Sequence, residues 1–240
     1  MNRQSKKIYA DSILFAAGGL LLAVFFTIEL YTRIRVDLLP PRPIIRVLFL
    51  ILLCVEFYCA AILYTRRTGN RRIFFLCMQV FFLLYLYLLL TFTLSDDYFY
   101  RSGINMTREE YLATRVNYLP FETVKLYIRA FLHGYVVVRL TVLNLIGNIC
   151  AFMPFAFFLP RLFRLQRKWY VFLPTVLLCV CAIEGMQFAF MVGSCDVDDL
   201  ILNAGGAFLL YLLLLIPPIR RFCDRLFAGE WKICNQPDSK

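Results

Sequence analysis

The chain has 240 residues, of which 61% are hydrophobic and only 18% are charged, and its mean hydropathy is +0.69. Soluble domains contain about 45–50% apolar residues, so this composition excludes a soluble globular protein and predicts an integral membrane protein. The net charge of +10 would suggest a nucleic-acid partner in a soluble protein, but here it indicates membrane topology, and we expect no nucleic acid.

Six apolar segments are each long enough to cross a bilayer, which takes about 20 residues. They cover residues 11–31, 43–64, 73–94, 140–159, 169–192 and 197–217. We therefore predict an all-α polytopic membrane helical bundle with about six transmembrane helices. Its parts would be three N-terminal transmembrane helices (1–95), an extracellular loop with an amphipathic interfacial helix (96–139), a core of three transmembrane helices (140–217) and a cytoplasmic tail (218–240).

Basic residues concentrate at the N-terminus, in the loops around 66–72 and 161–168, and in the tail. Because Lys and Arg accumulate on the cytoplasmic side, we expect a multi-pass protein of the plasma membrane with both termini in the cytoplasm. Arg33, Arg35 and Arg42 in the first outer loop run against this rule. Of the nine cysteines, only Cys195 is then expected at the outer face. The cysteines form no CxxC pair and there is one histidine, so no Cys/His metal site is predicted.

The first two spans each carry an intramembrane acid. Glu29 is expected to be structural and to pair with Arg33 at i+4. Glu56 lies deeper, and we interpret it as a packed hydrogen-bonding group facing a neighbouring span, with a functional role as the alternative.

The long outer loop contains two helix signals. The stretch Thr107–Glu110 is a capping box that predicts a short helix, which we expect Pro120 to end. Apolar residues then recur at helical spacing, at Val124, Ile128, Phe131 and Tyr135. On the same helix Lys125, Arg129 and His133 form a cationic stripe. This stripe is either a site for a phosphate or pyrophosphate headgroup or a source of general attraction to anionic lipid.

Polar residues interrupt the fourth and fifth spans. Asn144 and Asn148 share one face of the fourth span, either as packing hydrogen bonds or as ligands of a substrate. Pro154 and Pro160 are expected to kink or end this helix. In the fifth span Glu184 and Gln187 share a face, and Glu184 lies roughly 12 Å below the outer boundary at about 1.5 Å per residue. It is a candidate general acid/base, a proton carrier or half of a buried pair.

An acidic cluster begins the sixth span. Asp at a helix N-terminus satisfies free amides and the helix dipole, and one such residue is enough for that. The cluster has three aspartates with an asparagine one turn further, at Asp196, Asp198, Asp199 and Asn203. The cluster therefore has more carboxylates than a helix cap requires. Because hard cations prefer oxygen ligands, one hypothesis is that a divalent cation binds there. The cofactor is otherwise unknown.

These segments, in this order, resemble the VanZ-like family. The resemblance rests on Asn117–Phe121, on Asn144 and Asn148 with Phe152 and Pro154, on Glu184 and Gln187, and on Asp196, Asp198, Asp199, Asn203 and Gly206. The family's namesake confers low-level resistance to teicoplanin, a lipoglycopeptide antibiotic, in Gram-positive bacteria. The resemblance implies a plasma-membrane protein that alters the cell surface or its access to such drugs, and it supplies no agreed reaction.

Two functions remain open. In the first, an outward-facing polar site acts on an anionic or lipid-linked cell-wall component. Glu184 is then the acid/base or proton carrier, and the three aspartates position a cation or a substrate hydroxyl. The remaining candidates would orient these groups or attract phosphate, namely Asn144, Asn148, Gln187, Asn203, Lys125, Arg129 and His133. In the second, the protein is a non-enzymatic transporter or a scaffold that binds drug or a partner. The expected partners are membrane lipid and either a lipid-linked cell-wall precursor or a lipoglycopeptide.

Overall fold

The structure, a computed structural model, describes residues 3–34, 43–69, 71–94, 106–133 and 138–226. Within these ranges the side chains of 3–11, 32–34, 43–45, 71, 127, 130, 131, 133, 138–144, 225 and 226 are not described. The chain forms two compact units, Met1–Leu88 and Leu89–Lys240, and each is considered by itself.

The described residues are almost entirely helical. In chain order the elements are α1 (Arg3–Ile34), α2 (Pro43–Thr68), α3 (Arg71–Leu94), α4 (Arg108–Thr114), β1 (Val116–Asn117), α5 (Glu122–His133), α6 (Val138–Ala151), α7 (Met153–Leu162), α8 (Trp169–Phe190), β2 (Cys195–Asp196), α9 (Val197–Leu215) and α10 (Pro217–Leu226). Six helical stretches of the described part are long and apolar enough to cross a membrane. The predicted all-α polytopic bundle is thereby confirmed, while its division into four parts stays a prediction.

In the first unit, α1 packs along α2 around an apolar core of Phe25, Leu50, Leu53 and Leu84. Gly18 leaves room for a carboxylate, since a Cβ at this position would lie 3.0 Å from Glu56 Oε2. Glu56 is therefore packed against the neighbouring helix.

A buried ion pair also joins the helices of this unit. Glu29 Oε1 lies 2.5 Å from Arg46 Nη2, and the hydroxyl of Tyr87 donates to Glu29 Oε2 at 2.9 Å. Both charged residues are buried, as an intramembrane acid requires. The expected structural role of Glu29 thus involves Arg46, and the side chain of Arg33 lies outside the described residues.

The fourth span is broken. α6 ends at Ala151, Phe152 has φ −100° and ψ 0°, and α7 begins at Met153. Pro154 lies in the first turn of α7, where its missing N–H costs no helical hydrogen bond, whereas within a continuous helix it would clash with the carbonyl four residues earlier. The break predicted at Pro154 is present. Pro160, in contrast, lies inside α7, which continues to Leu162.

The segment between α3 and α6 forms the predicted helices and one contact that the sequence did not indicate. The capping box is confirmed, because Thr107 Oγ1 accepts from the Glu110 amide at 3.2 Å and Glu110 Oε2 accepts from the Thr107 amide at 2.8 Å. The expectation that α4 runs to Pro120 is wrong. It ends at Thr114 because the chain then becomes extended and β1 pairs with β2 in parallel.

Candidate functional site

The turn between α8 and α9 is the centre of the candidate site. Met191 and Gly193 have φ values of 53° and 71°, and this left-handed backbone reverses the chain within a few residues. The parallel pairing then sets Val116 opposite Cys195 and Asn117 opposite Asp196. The Cys195 amide extends this contact by donating to the carbonyl of Arg115 at 2.9 Å. Residues far apart in sequence thus meet at the start of α9.

Asp196 is the N-cap of α9. Its Oδ1 accepts from the Asp198 amide at 2.8 Å and from Asn117 Nδ2 at 2.9 Å, and its Oδ2 accepts from Thr123 Oγ at 2.5 Å. Asn117 also makes an Asx turn, since its Oδ1 accepts from the Leu119 amide at 3.0 Å. One buried carboxylate therefore joins the start of α9 to β1 and to the first turn of α5.

Asp198 caps a different helix. It is 1% exposed, and its two oxygens accept hydrogen bonds from the backbone amides of Phe121 and, at 3.1 Å, of Val124. These amides lie at the N-terminus of α5, where a negative charge is favourable. Phe121 itself has φ 65°, which turns the chain after Pro120 into α5. The contacts of Asp198 are those of a structural cap, and its predicted catalytic role stays a prediction.

Asp199 faces α6. Its Oδ1 accepts a hydrogen bond from Asn148 Nδ2. Two turns further along α9, a Cβ at Gly206 would overlap the carbonyl oxygen of Ile149, so the backbones of α6 and α9 touch there. Between these contacts lies Asn203, which is 6% exposed and whose Oδ1 has no hydrogen-bond partner among the described residues. Asn148 of α6 therefore contacts the acidic cluster, and its substrate-binding role stays a prediction. Asn144 is one turn earlier on α6, and its side chain lies outside the described residues.

Glu184 reaches the same turn from α8. Its Oε2 accepts from the Asp196 amide at 3.4 Å, and the residue is half-buried. Burial raises the pKa of the Cys195 thiol, and the negative charges of Glu184, Asp196 and Asp199 raise that pKa further. Carboxylates from two helices thus lie close enough to act on one thiol.

Gln187 faces other partners. It is buried, and its Nε2 donates to the carbonyl of Thr93 at 2.9 Å. The hydroxyl of the buried Tyr111 donates to the Gln187 carbonyl at 3.4 Å. Burial raises the pKa of Tyr111, as do the charges of Cys195 and Glu184, whereas Arg115 lowers it. Gln187 therefore fastens α8 to the end of α3, and a substrate-binding role for it stays a prediction.

The cationic stripe lies on α5. Lys125 is exposed and pairs with Glu122 at 3.2 Å, and Arg129 is also exposed. His133 ends the helix, but its side chain lies outside the described part. The predicted helix is present, and phosphate binding by its basic residues stays a prediction.

The aspartates point in different directions. Asp196 faces Asn117 and Thr123, Asp198 faces the first amides of α5, and Asp199 faces Asn148. No group of three or more His, Cys, Asp or Glu side chains is arranged to hold a metal ion in the part of the chain that the structure describes. The hypothesis of a divalent cation at this cluster stays a prediction without geometric support.

Three residues around the site carry roles that the sequence reasoning did not assign: Asn117, Thr123 and Tyr111. Asn117 belongs to the segment on which the resemblance rests, and its place three residues before Pro120 is a recognisable turn signal. Thr123 and Tyr111 have no comparable signal, because their partners come from α8 and the start of α9.

A family model described as VanZ/LLP1 matches residues 79–218, which is more than half of the chain. The chain belongs to the VanZ/LLP1 family. The match runs from α3 to the start of α10, and so includes every candidate site residue, while α1 and α2 precede it. No match was found among curated proteins or solved structures. The chain is therefore a VanZ/LLP1 protein with several membrane-spanning helices.

Proposed function

We propose that this VanZ/LLP1 protein gives low-level resistance to lipoglycopeptide antibiotics of the teicoplanin type by acting on or altering the cell envelope. Its substrate would be an anionic or lipid-linked cell-wall component that reaches a polar carboxylate site at the outer face of the membrane. The observation that carries the proposal is that Glu184 of α8 accepts a hydrogen bond from the Asp196 amide at the start of α9, where Asp199 contacts Asn148.

The residues have distinct roles in this proposal. Glu184 is the acid/base or proton carrier, because it reaches the turn from a different helix and accepts a hydrogen bond from the Asp196 amide there. Asp199 and Asn148 position the substrate between α9 and α6. Asp198 holds α5 over the site by capping its first amides, and Asp196 accepts a hydrogen bond from Thr123 in the first turn of α5. Chemistry at Glu184 thus depends on structure supplied by the neighbouring aspartates.

The helix α5 supports a location at the membrane surface. Besides Lys125 and Arg129 it exposes the apolar side chains Leu126, Ile128 and Leu132. A helix with exposed apolar and basic residues lies in the interfacial plane, where Lys and Arg attract anionic headgroups. In this proposal α5 rests on the outer leaflet and concentrates anionic lipid near the turn.

The test is resistance in a teicoplanin-sensitive Gram-positive host that expresses the chain. Glu184→Gln and Asp199→Asn each keep side-chain volume and remove a charge, and we expect both to return the minimum inhibitory concentration to that of the empty host. Glu109→Gln is the matched control, since Glu109 is exposed on α4, and it should leave resistance intact. Membrane levels are measured for every variant. Full protection by both site variants at normal levels would refute the proposed site.

A second candidate is a scaffold that binds drug or a partner without turnover. It is favoured by the contacts of Asp196 and Asp198, whose oxygens are all hydrogen-bonded within the protein. Incubating the purified protein with extracted lipid-linked precursor separates the two candidates. A changed lipid product beyond one equivalent indicates an enzyme, whereas stoichiometric capture of unchanged ligand indicates a scaffold.

A further inference from the structure

Asn203 is a buried hydrogen-bond acceptor without a donor. It is 6% exposed, and its Oδ1 has no hydrogen-bond partner among the described residues. Leaving such an atom unpaired costs stability, so its presence within α9 points to a donor beyond the described side chains, which a bound ligand would supply.

The neighbours of Asn203 define where this donor must lie. Asp199 is one turn earlier on the same face of α9 and bonds Asn148 of α6. Gly206 is nearly one turn later and touches the backbone of α6 at Ile149. The Asn203 side chain is thus held between two contacts of α6 with α9. Because the helix backbones already touch at Gly206, the donor approaches from the Asp199 end.

The donor would reach Asn203 from the side of Asp199, and this side is negatively charged. Glu184, Asp196 and Asp199 all act on Cys195. The oxygens of Asp196 accept hydrogen bonds from Asn117, Thr123 and the Asp198 amide, which are neutral donors. A positively charged group brought to this point would be attracted by the carboxylates.

We propose that the face between α6 and α9, formed by Asp199 and Asn203, binds a protonated primary amine. The inference rests on the proposed function, because it names the chemical group that the same site takes. The ammonium group donates one N–H to Asn203 Oδ1 and its charge is compensated by Asp199. The two residues are about 6 Å apart along the helix axis, at about 1.5 Å per residue, so one ammonium group between them lies within hydrogen-bonding distance of both.

Other donors fit less well. Ca²⁺ and Mg²⁺ prefer six or more oxygen ligands, and no group of three His, Cys, Asp or Glu side chains is arranged for a metal ion in the described part of the chain. A quaternary ammonium group has the charge but no N–H. We therefore expect a primary ammonium group to bind more tightly than a quaternary ammonium group of the same charge.

The experiment uses the purified full-length protein in lipid nanodiscs. One set contains phosphatidylcholine alone, and the other contains added phosphatidylethanolamine, which has the same phosphate and the same net charge but carries N–H donors. We expect a higher thermal unfolding midpoint with phosphatidylethanolamine. Asn203→Leu should remove this difference, with a loss of affinity of about tenfold. Gln79→Leu is the matched control, because Gln79 is an exposed amide on α3, and it should keep the difference.

Two further measurements identify the source of the amine and keep the test informative if Asn203→Leu does not fold. Free ethanolamine added to phosphatidylcholine nanodiscs raises the midpoint if the ligand is soluble, and only the lipid raises it if the ligand is a headgroup. Asn203→Asp retains the acceptor and should retain the preference even if Asn203→Leu does not fold. Three outcomes would each overturn the proposal. The parent protein could unfold at the same midpoint in the two lipids without a response to ethanolamine, or Asn203→Leu could keep the full difference between the lipids. The third is stabilisation by phosphatidylglycerol alone.

The outcome of the nanodisc experiment can be distinguished from the outcome of the resistance test. If Glu184→Gln and Asp199→Asn keep full resistance while the amine preference is present, the proposed function fails and the ligand chemistry stands. If both variants lose resistance while the parent protein does not distinguish the two lipids, the site is functional and the amine is wrong.

Discussion

Asp198 shows how one buried carboxylate can position two helices. It lies in the first turn of α9 and its oxygens cap α5, through the amides of Phe121 and Val124. At 1% exposure there is little water to replace a lost acceptor. The position of α5 over the candidate site therefore depends on Asp198, together with the hydrogen bond from Thr123 to Asp196.

We predict that Asp198→Ala destabilises the protein by about 1–3 kcal/mol, because two amides lose their acceptor in a buried place. The measurement is the unfolding midpoint of the purified protein, together with limited proteolysis of the segment around α5. Glu109→Gln, at an exposed position, should change neither quantity. A parent-like midpoint with unchanged cleavage around α5 would show that the cap does not hold this helix.

Cys195 reports on the charge of the site. Its pKa is raised, so at pH 8 a smaller fraction of the thiol is in the reactive thiolate form than in an ordinary cysteine. Glu184→Gln removes one of the negative charges that raise this pKa, which then falls, although burial still keeps it high. We predict that a membrane-impermeant maleimide labels Cys195 severalfold faster at pH 8 in Glu184→Gln than in the parent.

The labelling has two controls. Cys195→Ser should abolish labelling of intact cells, since Cys195 is the cysteine that we expect at the outer face. Glu109→Gln should label at the parent rate. Equal rates for Glu184→Gln and the parent between pH 7 and 9 would mean that Glu184 does not act on this thiol.

At the scale of helices, two adjacent glycines in α9 distinguish the effect of helix–helix packing from the intrinsic helix propensity of glycine. A Cβ at Gly206 would overlap the carbonyl oxygen of Ile149, whereas a Cβ at Gly205 would meet nothing within 4 Å. We predict that Gly206→Ala forces α6 away from α9 and disturbs the Asn148–Asp199 hydrogen bond. Gly205→Ala should be neutral or stabilising by up to about 1 kcal/mol, as expected for a glycine in a helix interior. The unfolding midpoints of the two variants provide the comparison, and equal losses would contradict the close contact.

The helices themselves were predictable and their connections were not. Each span follows from a local run of apolar residues, and α4 follows from a capping box of four residues. The β1–β2 pair and the cap of Asp198 on α5 join residues more than 70 positions apart. Local periodicity holds no information about such partners. The sequence thus indicated that Asp198 has more than an ordinary capping role within its own helix, but it did not show that the second helix is α5.

At the scale of the molecule, orientation decides which side of the membrane the candidate site faces. In sequence order, six spans that alternate in direction would leave the basic residues of the N-terminus, of the loops around 66–72 and 161–168 and of the tail on one side of the membrane, and the α8–α9 turn on the other. Because Lys and Arg are retained in the cytoplasm, we predict that the turn faces outward. Alkaline phosphatase fused after residue 102 should be active, and the same enzyme fused after residue 240 should be inactive.

A charge-removal variant tests the physical cause of this orientation. Replacing the four arginines of the second loop by alanine, at Arg66, Arg67, Arg71 and Arg72, removes a large part of the retained charge near the middle spans. If positive charge sets the orientation, these replacements should lower the activity of the fusion after residue 102. An active fusion after residue 240 in the parent chain would reverse the orientation and place Glu184 and Asp199 on the cytoplasmic side. The site would then lie out of reach of a drug that stays outside the cell, and a direct action on that drug would be excluded.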